Sequence, residues 1–311
     1  MNKNDVDSKK ISSKLICLDD RFNLLANLLE QKNFPRALMI SGKKGSGKFT
    51  LIAHFLCYVF DKNNYDKSNK LIDTESNFFN HFINNTFPNI IYIPGSNFKS
   101  VKIDDIRELK SLILKSSMFN KERFIIFDDV ELLNKNSLNA LLKIIEEPSS
   151  NNHFIMINNQ TKPIIETLHS RCIEIKISLK ESQKKEIINY LIKKNQLEKY
   201  FNYNIQGLTP GNFLEFNNIC EESEIDINNN LLENITSLLN LFKKTKNKNL
   251  TNFILFLIDY HFYSQVNDKK DNTEKLFEQR DFIIKNMKNF VNYNINQGSL
   301  LNAISNKLYN E

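Results

Sequence analysis

The run GKKGSGKFT, residues 42–50, has the spacing G-x-x-x-x-G-K. In such a run glycines let backbone N–H groups turn inward around phosphate oxygens, and a lysine bridges the outer phosphates. Gly42, Gly45, Gly47 and Lys48 are therefore the first candidates for holding a nucleotide. The residue after the lysine ordinarily offers a hydroxyl to Mg²⁺, but here it is Phe49. Thr50 is the nearest remaining hydroxyl, about 100° further round a helix. The other half of such a site is an acid at the tip of a neighbouring apolar strand, and Asp128, closing FIIF, fits that place. Asp129 stands where a hydrolase of this kind carries a glutamate that polarises water. Its shorter side chain would hold the base roughly 1.5 Å back, a misplacement worth about a hundredfold in rate.

These residues need a strand, a turn and a helix to position them. ALMIS, 37–41, is a short apolar run suited to a buried parallel strand, and FTLIAHFLCYVF continues from the glycine loop as an amphipathic helix. A helix is expected upstream in 16–31, where Phe22, Leu25, Ala26 and Leu29 share a face. Further strands are expected at NIIYIPG, at RFIIFDD (123–129), at HFIMINN (153–159) and at IEIKI after Arg171. Helices are expected over 103–117, with Ile106, Leu109, Leu112 and Ile113 on one face, and over NSLNALLKIIEEP, closed by Pro148. Alternating strands and helices imply a parallel sheet covered on both faces. Residues 61–88 are polar and poorly periodic and read as an insertion. From 179 onward only helical pattern appears, the first helix opening at Ser178 and the turn GLTPG following it. The expected organisation is an α/β domain over 1–178, a small helical domain over 179–225 and a helical C-terminal domain over 226–311.

Composition narrows the function classes. With 311 residues and 41% hydrophobic content the chain can bury a sizeable core. The 42 Lys+Arg against 36 Asp+Glu leave +6, a mild excess that permits a nucleic-acid partner without arguing for one. The cluster Lys243, Lys244, Lys246 and Lys248 reads as a solvated helix end and is not assigned to DNA. The polar N-terminus lacks the apolar core of a signal peptide, and NFILFLIDYHF is interrupted by Asp259 and too short to span a bilayer, so a cytoplasmic location is expected. Cys17, Cys57, Cys172 and Cys220 form no C-x-x-C pair, so reduced thiols and no zinc are expected.

The order FDDVELLNKNSLNALLKIIEEP, then FIMINN, then HSRC at 169–172, behind a phosphate loop, resembles the clamp-loader branch of the AAA+ ATPases. The resemblance covers about 37–178 and implies an AAA+ P-loop domain followed by a helical lid and an all-helical oligomerisation collar. Within that branch the chain is most similar to the delta-prime subunits of bacterial DNA polymerase III. The tau/gamma motor subunits share NALLK-x-x-EEP and SRC, but keep G-K-T or G-K-S, a D-E pair and commonly a four-cysteine zinc module. Phe49, the Asp128–Asp129 pair and the lack of a cysteine between Cys57 and Cys172 depart from the motor pattern. An autonomous P-loop enzyme, such as a nucleoside-phosphate kinase, is the reading from another class, and no cluster of lid arginines supports it.

The resemblance implies that Arg171 projects across a subunit boundary to the γ-phosphate of ATP held by a neighbouring motor. It places the family's first sensor at Asn158 or Asn159, of which Asn159 is assigned to the nucleotide site. Asn212 occupies the slot of the second sensor, an arginine. The implied partners are the tau/gamma ATPase and delta subunits of the loader, the sliding clamp and, through the assembled ring, primed double-stranded DNA, with no membrane. ATP is expected to bind weakly at most, with Mg²⁺ lacking its usual hydroxyl. The chain alone is expected to be no catalyst, or at most a weak ATPase within a DNA polymerase holoenzyme.

Overall fold

The computed structural model describes residues 6, 11–95, 122–146, 151–205, 207–268, 273–293 and 295–309. It divides into two compact units, one comprising Met1–Ile187 with Thr209–Gly211, the other Ile188–Leu208 with Asn212–Glu311.

In the first unit α1 (Asp19–Glu30) leads to β1 (Ala37–Ser41), the glycine loop and α2 (Lys48–Phe60). A small hairpin, β2 (Tyr65–Asp66) with β3 (Leu71–Ile72), precedes α3 (Asn77–Ile83) and β4 (Ile90–Ile93). The helix expected over 103–117 lies outside the described residues. The chain continues through β5 (Arg123–Phe127), a 3-10 turn at Val130–Leu132, α4 (Lys135–Glu146), β6 (Asn152–Asn158), the short α5 (Glu166–His169) and β7 (Ile173–Lys176). Five strands form one parallel sheet in the order β4-β5-β6-β1-β7.

Every residue of β1, β5 and β6 is buried, which is why these segments read as continuous apolar runs rather than alternating ones. Successive side chains still point to opposite faces. Leu38, Ile40, Phe124, Ile126, Ile155 and Ile157 join one core with Phe22 of α1 and Leu51 and Phe55 of α2. Ala37, Met39, Ile125, Phe127, Phe154 and Met156 join the other, with Leu138, Leu141, Ile144 and Ile145 of α4. The sheet is thus covered on both faces, as an α/β sandwich requires.

Residues 61–88 are more than the insertion expected from their polarity. Tyr65, Ile72, Phe78, Phe79 and Phe82 are buried in the first core, and Ser76 caps α3 by accepting the Phe79 N–H. Intervening Asn and Lys residues conceal the aromatic spacing in the sequence.

His54, fully buried on α2, exemplifies how this core handles a polar group. Its Nε2 faces the Ser12 carbonyl at 3.0 Å and its Nδ1 the Tyr65 hydroxyl at 3.1 Å. A carbonyl only accepts, so Nε2 carries the proton and Nδ1 accepts from Tyr65. Burial, reinforced by the nearby Lys70 charge and opposed by the Ser12 bond, lowers its pKa to about 4. The folded chain therefore resists a proton that the unfolded chain accepts. The stabilisation is complete above about pH 6.5 and is lost as pH falls towards 4, amounting to roughly 3 kcal/mol. Urea denaturation of wild type and His54→Asn at a series of pH values checks this: the difference in stability should shrink by about that amount on acidification, and a pH-independent difference would refute it.

The second unit is helical, from the later residues of α6 (Glu181–Asn195) and α7 (Pro210–Ser223) through α8 (Leu231–Thr245), α9 (Lys248–Asp268), α10 (Thr273–Tyr293) and α11 (Gln297–Tyr309). The division at 225 expected from the sequence does not interrupt its core, in which Phe213, Phe216 and Ile219 join Ile235, Leu238 and Phe253. Helix α6 begins at Glu181 rather than at Ser178, and Gln183 accepts the Lys180 N–H. Among the described residues no helix is long and apolar enough to cross a membrane.

Candidate functional site

Parallel strands bring their C-terminal ends to one edge of the sheet, where ligands of open α/β sheets bind. Ser41 ends β1, Phe127 ends β5 and Asn158 ends β6, so the glycine loop, the paired aspartates and Asn159 all follow strand ends at that edge.

The loop is wound as its glycines require. Gly42 donates its N–H to the Asn158 carbonyl, and a Cβ there would lie 2.4 Å from the Ile177 carbonyl oxygen. Gly47, at φ 84°, precedes the first turn of α2 in a left-handed conformation that suits glycine. Lys48 is buried and its Nζ donates to the carbonyls of Gly42 at 2.7 Å and Lys43 at 2.8 Å. Burial brings its pKa down to about 8, against the opposing pull of Asp128, Glu131 and Asp129. The segment Thr209–Gly211, which runs into α7 and belongs to the first unit, also meets the loop. Thr209 Oγ1 donates to the Lys44 carbonyl at 2.7 Å and the Gly211 N–H to that of Gly45 at 2.9 Å.

Phe49 explains itself through packing. Its ring stacks 6.2 Å from Phe82 and meets Tyr92 at 5.3 Å, so the side chain extends the aromatic core. Tyr92 in turn donates its hydroxyl to Asp128 Oδ2 at 2.9 Å, while Asp128 Oδ1 accepts the Asp129 N–H at 3.0 Å. Position 49 therefore supplies no metal ligand, and the carboxylate opposite is engaged by a phenol. Thr50 is half-buried at the next position of α2. The glycines and Lys48 fit a phosphate chain; the Phe49–Tyr92–Asp128 arrangement does not fit a magnesium ion held between a loop hydroxyl and a strand-end aspartate.

Asp129 adopts φ 51°, a left-handed conformation that aspartate tolerates better than most residues. Its Oδ1 accepts from Asn159 Nδ2 at 2.5 Å, so the structure joins the two positions assigned from sequence. Sequence reasoning missed Glu131. Buried in the 3-10 turn, it accepts the Asn159 N–H through both oxygens at 3.2 Å and the Thr161 hydroxyl at 2.8 Å. It thereby holds the chain beyond β6 in place. The only sequence signal for it is a third acid among apolar neighbours in FDDVELL. Asn158, the other candidate sensor, turns inward and accepts the Gln160 N–H.

Arg171 lies in the turn between α5 and β7 with a side chain 38% exposed. Its Nε donates to Glu146 Oε1 at 2.7 Å, Nη2 approaches the same oxygen at 2.6 Å, and Nη1 donates to the Thr167 carbonyl at 2.9 Å. Cys172 packs beside Met156 and donates to the Leu168 carbonyl. Burial raises its thiol pKa to about 12, which suits an inert packing residue. The four cysteines are free thiols.

Residues 18–181 match the family model described as DNA polymerase III, delta subunit. The chain is 25% identical over 248 residues to DNA polymerase III subunit delta' of Buchnera aphidicola subsp. Schizaphis graminum, covering 74% of this chain and 66% of that one. It is 28% identical over 158 residues to subunit gamma of the same organism, covering 50% of this chain and 44% of that one. The matched stretches thus span less than two thirds of either relative's own length. A crystal structure of a DNA polymerase III gamma subunit-related protein from Thermotoga maritima superposes with a TM-score of 0.51 at 14% identity, over 93% of this chain and 98% of that one. At that identity the likeness bears on the fold alone, a five-stranded parallel sheet covered by helices and followed by a helical part.

Proposed function

This chain belongs to the DNA polymerase III delta subunit family, and from that premise we propose that it is the stator of a clamp loader. It presents Arg171 to ATP held by an adjacent tau/gamma-type ATPase subunit, while its own nucleotide site is impaired. ATP-driven rearrangement of the ring then opens a sliding clamp and places it on primed DNA. A guanidinium suits this role because it stays charged and presents a planar fork of donors to phosphate oxygens. The observation that carries the reading is the setting of Arg171: it is exposed and tethered by Glu146 and Thr167 of its own chain, with no bond to the phosphate loop.

The features of the chain's own site point the same way. Lys48 and the glycines keep a cradle for phosphate, so nucleotide binds weakly, and binding depends little on Mg²⁺ because position 49 offers no ligand. Asp129 sits in the place of the base, paired to Asn159. The rival reading is a tau/gamma-type motor, which the match to a gamma subunit favours and Phe49 opposes. Steady-state hydrolysis by the purified chain separates them. The chain alone should turn over ATP at least about a hundredfold more slowly than the assembled loader, and titration should give weak binding that chelation of Mg²⁺ barely alters. Brisk magnesium-dependent turnover, or nanomolar magnesium-requiring affinity, would favour the motor and show that Thr50 or another group replaces the lost ligand.

A further inference from the structure

We infer that Glu146 is a positioning residue for Arg171, fixing its guanidinium so that one N–H on each terminal nitrogen faces an acceptor outside the chain; this rests on the stator reading above. A guanidinium carries five N–H donors. Glu146 Oε1 accepts from Nε and lies 2.6 Å from Nη2 as its ion-pair partner, and the Thr167 carbonyl accepts from Nη1. Among the described residues these contacts leave at least one N–H open on each of Nη1 and Nη2. Two anchors on a planar group define its plane as well as its place, and the remaining pair matches the oxygens of a phosphate group.

The anchors come from two elements of one unit: Glu146 is the last residue of α4, and Thr167 belongs to α5. Both side chains of the ion pair are well exposed, 38% for Arg171 and 47% for Glu146. An exposed pair contributes little to stability, so its consequence is directional. A long side chain left without its carboxylate samples many rotamers, few of which point the fork at a triphosphate held next door. Glu146 also offsets part of the finger's charge, so removing it does not weaken the attraction for the triphosphate. The two effects separate in kinetics, because orientation sets the rate of the chemical step while charge sets the affinity.

The experiment uses the complete loader reconstituted with its ATPase subunits, following single-turnover hydrolysis so that the ATP site facing this chain appears as its own kinetic phase. Glu146→Ala should slow that phase by about 10- to 100-fold, with the half-saturating ATP concentration unchanged or lowered. Glu146→Gln, whose amide oxygen still accepts from Nε, should stay within about threefold of wild type. The melting temperature of all variants should match wild type, as expected for an exposed pair. A Glu146→Ala phase within twofold of wild type, while Arg171→Ala abolishes it, would overturn the positioning role and leave the finger standing. Equal slowing by Glu146→Ala and Glu146→Gln would also overturn it, since charge rather than geometry would then govern. An Arg171→Ala loader with an unaltered phase would overturn the stator reading beneath it.

Discussion

Replacing Arg171 by alanine is expected to slow ATP hydrolysis at the site facing this chain by about 10³- to 10⁵-fold, the range over which an arginine supplied in trans acts on phosphoryl transfer. The effect arises because negative charge spreads over the transferring phosphoryl group, and a fixed cation in a water-poor interface stabilises it far more than mobile solvent does. In the free chain the same substitution should change little. The guanidinium is exposed, and its ion pair with Glu146 lies at the surface, where such pairs contribute about 0–1 kcal/mol. The discriminating combination is therefore an unaltered melt of the isolated chain with loss of one kinetic phase in the reconstituted loader. Arg171→Lys should recover only a small part of the rate, because an ammonium lacks the planar fork. DNA-stimulated turnover with every phase intact would remove the finger assignment.

Phe124→Ala should destabilise the first unit by about 3–5 kcal/mol, the usual range for deleting a fully buried aromatic ring. Phe124 lies on β5, completely buried. Its ring meets Phe34 at 5.7 Å, Phe55 at 5.5 Å, Phe60 at 5.9 Å and His153 at 5.4 Å. Alanine would leave four rings without a shared partner in a core that cannot close the gap, since Phe124 is also held in the sheet between Ile90 of β4 and His153 of β6. At roughly 2–4 °C per kcal/mol for a unit of this size, the melting transition should fall by about 6–20 °C. The aspartates follow on the same strand, so the acidic side of the candidate site should loosen with it. A drop of less than about 1 kcal/mol in denaturant would mean that the surrounding rings repack, and would contradict the account of Phe124 as their hub.

Much of the sheet was legible in sequence because fully buried parallel strands leave a plain signature. ALMIS, FIIF and FIMIN are uninterrupted apolar runs, and each ends in a residue that the parallel arrangement carries to the same edge. The loop glycines were legible for a related reason: the backbone conformation at Gly47 and the close approach of Gly42 to Ile177 restrict the residue type locally. The segment 61–88 was misread because its buried aromatics, Tyr65, Phe78, Phe79 and Phe82, are diluted by asparagine and lysine. With one short helix and a two-residue hairpin, it has too few turns for a period to emerge.

What the sequence by itself determined was the chemistry on offer: a glycine loop with a lysine and no hydroxyl directly after it, two aspartates at a strand end, and an arginine in the turn Ser170–Cys172. What only the tertiary structure decided was the use of each group, because use depends on partners distant in the chain. Tyr92 reaches Asp128 across 36 positions, Glu131 grips Asn159 across 28, and Glu146 orients Arg171 across 25. A carboxylate's sequence neighbours do not reveal whether it binds a metal, holds a backbone or steers a guanidinium. Hydrogen bonding is short-ranged and directional, so that choice is made only when packing brings one donor within about 3 Å and leaves the others outside.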